Sequence, residues 1–224
     1  MTAAPDNLTQ RTIDFVKSSS LGEVSGHDWW HIYRVYNMAV YLARKENADV
    51  FIVELAALLH DIDDWKFNAP GSCRAHEWLT QCRLEKNKIR KIIDVIETVS
   101  YKGAGEPNKA ATIEAQVVQD ADRLDAIGAI GIARTFAYGG CYGREIYNPY
   151  CPPVLHENFE AYKKNQSHTI NHFYEKLLLL KNMLNTATAK VLAVERHAFL
   201  EKFLAEFFAE WNFNTGSGTS EIIK

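Results

Sequence analysis

No stretch of this 224-residue sequence is apolar for long enough to cross a bilayer; the longest, around Val50 to His60, falls well short of the roughly 20 residues required. The opening MTAAPDNLTQ has no basic segment followed by an apolar run, so no secretory signal is evident and a cytoplasmic location is expected. Cysteine is sparse. Cys73, Cys82, Cys141 and Cys151 form no CxxC pair and read as reduced thiols rather than as a disulfide framework. No charge sign dominates either, since 25 basic and 28 acidic side chains leave a formal charge of -3. That balance gives no basis for stable nucleic-acid binding or attraction to an anionic membrane. Alternating strand patterns, internal repeats and a GxSxG nucleophile elbow are also missing.

What is present is helical periodicity in an ordinary globular composition, 47% hydrophobic and 24% charged. A short helix around Leu8 to Val16 is followed by the small, polar SSSLGEVSG. Ile32, Val35, Met38, Ala39 and Leu42 predict a helix from Asp28 to about Asn47. Asp49 then caps VFIVELAALLHD, apolar on nearly every side and placed at the centre of the protein. Helices are predicted over 74–84, 87–99, 112–137, 168–184 and 187–211, with a long loop over 138–167. Gly128 and Gly131 are expected to allow close helix packing. The class is all-α, with one domain over 1–214 and a frayed tail over 215–224.

Three segments set metal-competent side chains where such helices would otherwise carry core: His27 to His31, then His60 and Asp61, then Asp120 to Asp122. Singly each has a structural explanation; the acidic run near Asp120, for example, can cap a neighbour. Together they are costly to bury beside an apolar helix unless charge is neutralised, and a divalent cation does that. Two imidazoles and two carboxylates suit a borderline or hard ion. A ferritin-like carboxylate bundle needs paired ExxH motifs, which do not occur, and a zincin needs HExxH, whereas His76-Glu77 and His156-Glu157 both lack the second His.

HDWWHIYRV, LLHDIDDWKF and VQDADRLDAIGAIGIAR together resemble the HD-domain phosphohydrolases, whose signature is H…HD…D on separate helices. The resemblance covers about residues 27–137, with helices over 138–214 packed on that bundle. It assigns the metal ligands to His31, His60, Asp61 and Asp122, the ADRL stretch favouring Asp122 over Asp120 and Asp125. One divalent ion is implied, Mn2+ first, with Mg2+, Co2+, Fe2+ and Ni2+ as alternatives. Within the family the segments resemble a small bacterial subgroup of nucleotide pyrophosphohydrolases, which implies cleavage of nucleoside triphosphates to monophosphate and pyrophosphate. A 5′-nucleotidase, a phosphodiesterase and a non-catalytic metal-binding module are the rivals. Asp64, three residues after the HD aspartate, matches a family acid that orients or deprotonates water, and His27, one helical turn before His31, is placed either to donate to phosphate or to protonate a leaving oxygen. Lys66, Lys102 and Arg34 are the expected phosphate partners, although Arg34 can equally pair with a helix carboxylate. His168, Asn171, His172 and Lys176 either close over substrate or lie on a helix surface.

Overall fold

The structure is a computed structural model that describes residues 8–19, 26, 28–63, 73–99, 110–155 and 167–213. Helices α1 (Leu8–Ser19), α2 (Trp29–Glu46), α3 (Val50–Leu59), α4 (Arg74–Gln81), α5 (Lys86–Val99), α6 (Ile113–Asp125) and α7 (Gly128–Cys141) are followed by a composite helix, α8. It is π-helical over Phe173–Leu177, α-helical over Leu178–Leu180 and 3-10 over Lys181–Met183. The chain then forms the long α9 (Ala187–Trp211). No strand occurs among the described residues, and the class is all-α. No helix of the described residues is long and apolar enough to cross a membrane. All four cysteines are free.

Sequence dictates the ends of the two central helices. Asp28 caps α2 by accepting from the His31 amide at 3.0 Å, which fixes His31 in the first turn. Asn47 closes the same helix in the left-handed conformation, φ 58°. Asp49 caps α3 by accepting from the Phe51 and Ile52 amides. Helix α3 then buries Ile52, Val53, Leu55, Ala56, Ala57, Leu58 and Leu59 against α1, α2, α5 and α6. At roughly 1.5–3 kcal/mol for each fully buried large aliphatic side chain, this helix is a large contributor to core stability. His60 follows directly as its C-cap, so the end of a rigid rod carries the HD pair.

The periodicity over 112–137 is interrupted at Ala126 and Ile127, where α6 ends and α7 begins. Gly128 occupies the break at φ 76°, a backbone region that a side chain disfavours. A Cβ on Gly131 would stand 2.1 Å from the Ala126 carbonyl oxygen, so only glycine fits beneath the turn. Both glycines build the break, and Gly128 also allows the close helix packing expected of it, since a Cβ there would stand 3.1 Å from the Arg196 side chain of α9. Helix α7 also runs on to Cys141, which takes residues 138–141 out of the expected loop, and α4 stops at Gln81.

The C-terminal helices pack onto the bundle, α9 lying against α2, α6 and α7. The segment after α7 is held to them by Tyr147, whose ring meets Phe207, Phe208 and Trp211 edge-on. The residues of the expected tail over 215–224 lie outside the described residues.

Candidate metal centre

Three helices deliver the H…HD…D residues to one point. His31 comes from the first turn of α2, His60 and Asp61 from the end of α3, and Asp122 from the last turn of α6. One ligand atom each from His31, His60 and Asp122 lies within 4.8 Å of the others. The His31 and His60 Nε2 atoms are 3.3 Å apart, with the ring planes at 71°. Asp61 reaches both, at 3.2 Å from His31 Nε2 and 3.4 Å from His60 Nε2. Asp122 Oδ1 stands 3.6 and 3.9 Å from the same two nitrogens. Both imidazoles are buried, whereas the Asp122 side chain is 27% exposed and opens the cluster to solvent.

Orientation comes from the far side of each ring. His60 Nδ1 lies 2.8 Å from the Ala57 carbonyl, so it carries the proton and leaves the Nε2 lone pair facing the cluster. His31 Nδ1 lies 2.8 Å from Asp125 Oδ2, with the same consequence. Asp125 in turn accepts from Arg34 Nε at 2.7 Å, Arg34 Nη2 at 3.1 Å and Arg134 Nη1 at 2.8 Å. Arg134 is itself aimed by donation from its Nε to the Gly26 carbonyl. Burial opposes ionisation of Asp125, but the hydrogen bonds from His31 and Arg34 outweigh it and hold the carboxyl well below its usual range. For His31, burial and Arg134 disfavour the charged ring, yet Asp125 and Asp61 prevail and its pKa is raised. A metal-free His31 thus retains a proton more readily than an ordinary histidine, and ion binding competes with that proton.

The donor set fits a divalent cation. Two fixed Nε2 lone pairs and two carboxylates converge from separate helices, and the two anions offset a doubly charged ion. Removing any one partner leaves the remaining groups buried without their compensation.

Asp120, the other aspartate of the ADRL region, serves a different purpose. It is fully buried and accepts from Asn185 N, Asn185 Nδ2, Thr186 N and Thr186 Oγ1, at 2.8–2.9 Å for the nearer oxygens. Thr186 is the N-cap of α9, so Asp120 anchors that helix to α6. Asp120→Asn is expected to lower stability by about 3 kcal/mol, because hydrogen bonds to a charged acceptor contribute roughly 1.5–3 kcal/mol each and the amide keeps only part of them. Metal affinity should stay unchanged. Urea unfolding beside a manganese titration checks both, and metal loss at unchanged stability would reverse the assignment.

Other expected site residues fare differently. Arg34 is engaged with Asp125, the ion-pair alternative to a phosphate contact. His168 and Asn171 are buried rather than exposed on a helix surface. His168 Nε2 and Asn171 Nδ2 both lie 3.0 Å from the Cys151 carbonyl and hold the segment after α7 in place. His27, Asp64, Lys66 and Lys102 lie outside the described residues. Asp63, beside Asp64, caps α4 across space by accepting from the Arg74 and Ala75 amides at 2.9 Å, a role its sequence position did not suggest. Asp125 was legible in part, since it falls three residues after Asp122 and so near the same helical face. Arg134 and the Ala57 carbonyl carry no local signal.

A family model described as HD domain matches residues 29–127, a span that encloses all four clustered residues. The uncharacterized protein YpgQ of Bacillus subtilis is 40% identical over 198 residues, 86% of this chain and 88% of YpgQ. A crystal structure of YpgQ in complex with ADP superimposes with a TM-score of 0.72 at 37% identity, covering 90% of this chain and 97% of that one. An HD-superfamily hydrolase from Bacillus thuringiensis gives 0.69 at 42% identity, covering 91% and 96%. A Lactobacillus plantarum protein gives 0.84 at 36% identity, covering 93% and 98%. This chain belongs to the HD domain superfamily, as a hydrolase of the metal-dependent phosphohydrolase kind.

Proposed function

We propose that the protein hydrolyses nucleoside triphosphates to a monophosphate and pyrophosphate, with one divalent ion, Mn2+ in preference, held by His31, His60, Asp61 and Asp122. The observation that carries the reading is the pair of locked Nε2 atoms converging with two carboxylates from different helices. The ADP complex of YpgQ supports the nucleotide class. When bound, the ion supplies Lewis acidity toward a phosphoryl oxygen and acidifies water.

The remaining steps belong to the protein. Asp125 and the Ala57 carbonyl keep both imidazoles in the tautomer that presents Nε2. Asp64 accepts the proton of the attacking water, whose oxygen bonds to the α-phosphorus as the bond from that phosphorus to the bridging oxygen breaks. His27 gives its proton to that leaving oxygen. Lys66 and Lys102 offset the charge of the β- and γ-phosphates. Arg34 contributes through Asp125 by fixing the His31 ring.

Reaction in ¹⁸O-labelled water, followed by mass spectrometry of the products, tests the reading. Label is expected in the nucleoside monophosphate and not in pyrophosphate. Label confined to orthophosphate, or rapid turnover of monophosphates with triphosphates inert, would replace it with a nucleotidase and leave the metal-dependent hydrolase standing.

A further inference from the structure

A cavity of about 690 Å³ lies between α2, the start of α7 and α9. None of His31, His60, Asp61 and Asp122 lines it. Asp125 stands between the two, binding His31 on one side and bordering the cavity on the other. The volume falls within the range of small-molecule sites, roughly 300–1,000 Å³.

The cavity is lined by cationic and by aromatic side chains. Arg34 and Arg196 both line it. The Asp125 carboxylate is already shared among His31, Arg34 and Arg134. Arg196 donates to the Leu124 carbonyl, and no carboxylate lies within ion-pair range of it among the described residues. Positive charge is therefore in excess around Asp125 and Arg196. Burial draws the Arg196 guanidinium below its ordinary range, with Asp125 only partly restoring it. The first residues of α7 also open here, and its N-cap, Ile127, offers no side-chain cap. Tyr33 and Tyr41, two turns apart on α2, also line it and are each 45% exposed, with Asn37 between them.

We propose that this cavity is a second ligand site, separate from the metal centre, for a nucleoside monophosphate or an organic phosphate of that build. Its phosphate lies against Arg196, and its flat ring lies on Tyr41. A guanidinium with no carboxylate in ion-pair range favours a phosphate over a neutral ligand, and a tyrosine face offers a stacking surface to a planar ring. The assignment is independent of which phosphorus is attacked at the metal centre.

Equilibrium dialysis of labelled AMP against the manganese-loaded full chain tests it. Two equivalents per chain are expected. Tyr41→Ala and Asn37→Asp, both at exposed positions, should each weaken one equivalent by about tenfold or more, the first by loss of stacking and the second by an added negative charge. Arg196→Gln should do the same, with circular dichroism confirming that it folds. His60→Ala should remove the other equivalent and leave this one. A single equivalent that disappears with His60→Ala overturns the proposal, as does a second equivalent untouched by Tyr41→Ala and Asn37→Asp. Displacement of the second equivalent by inorganic phosphate at the same concentration as AMP would likewise overturn the assignment to a ring-bearing phosphate.

Discussion

Alanine at His31, His60, Asp61 or Asp122 is expected to strip the centre of its divalent ion and to bring phosphohydrolase turnover down to background. Each side chain supplies one of a small number of donors, and the remaining three cannot close around an ion from separate helices. The four variants should differ in stability even though they agree in activity. His60→Ala removes the C-cap residue of α3 and its bond to Ala57, so it also loosens the end of the central helix. Asp122→Ala, at a partly exposed position, should unfold at nearly the same urea concentration as the metal-free parent. Elemental analysis of purified protein, beside initial rates at saturating manganese, gives the result. Full occupancy in all four variants would mean that the ion lies elsewhere.

The second large effect is expected at Asp125, which touches no substrate. Asp125→Asn should lower metal affinity by about 10- to 100-fold, the range for groups that orient a metal-binding histidine. The amide can accept from one donor, but its NH2 group then faces either the His31 ring or a guanidinium. Asp125→Ala should go further and cost roughly 3–5 kcal/mol of stability, because Arg34 and Arg134 lose their shared buried carboxylate. A positioning role separates from a merely structural one in the manganese titration of the Asn variant. If Asp125→Asn loses stability but binds manganese as tightly as the parent, the His31 contact has no part in holding the ion.

These two expectations rest on different parts of the reasoning. The H…HD…D residues were legible because ionisable groups stand out against the apolar pattern of α3 and α6, and burial of charge needs a reason. Helix limits were legible where a side chain caps its own helix, as Asp28, Asp49 and Thr186 do. They were obscured at Ala126, where the apolar pattern of α6 runs without pause into α7 and only two glycines mark the turn. Periodicity reports that a residue is buried, not which distant donor meets it. Asp120 and Asp122 therefore read alike, although Asn185 and Thr186 claim one of them. His168 and Asn171 were misplaced for the same reason, since their acceptor, the Cys151 carbonyl, belongs to an irregular segment with no pattern to read.

The two duties of α6 bear on how the gene can tolerate insertions and deletions. Asp120 and Asp122 are two positions apart, about 200° around the helix at 3.6 residues per turn, so one faces α9 while the other faces the metal cluster. Adding or deleting a single codon between Thr112 and Asp120 would turn both carboxylates by about 100° relative to the cap at Thr112. Anchor and ligand would then be lost together, and no point substitution could restore one without the other. Length changes in this helix should be absent from functional variants unless they come as whole turns, whereas the segment between α7 and α8, outside that register, can change length without rotating either aspartate.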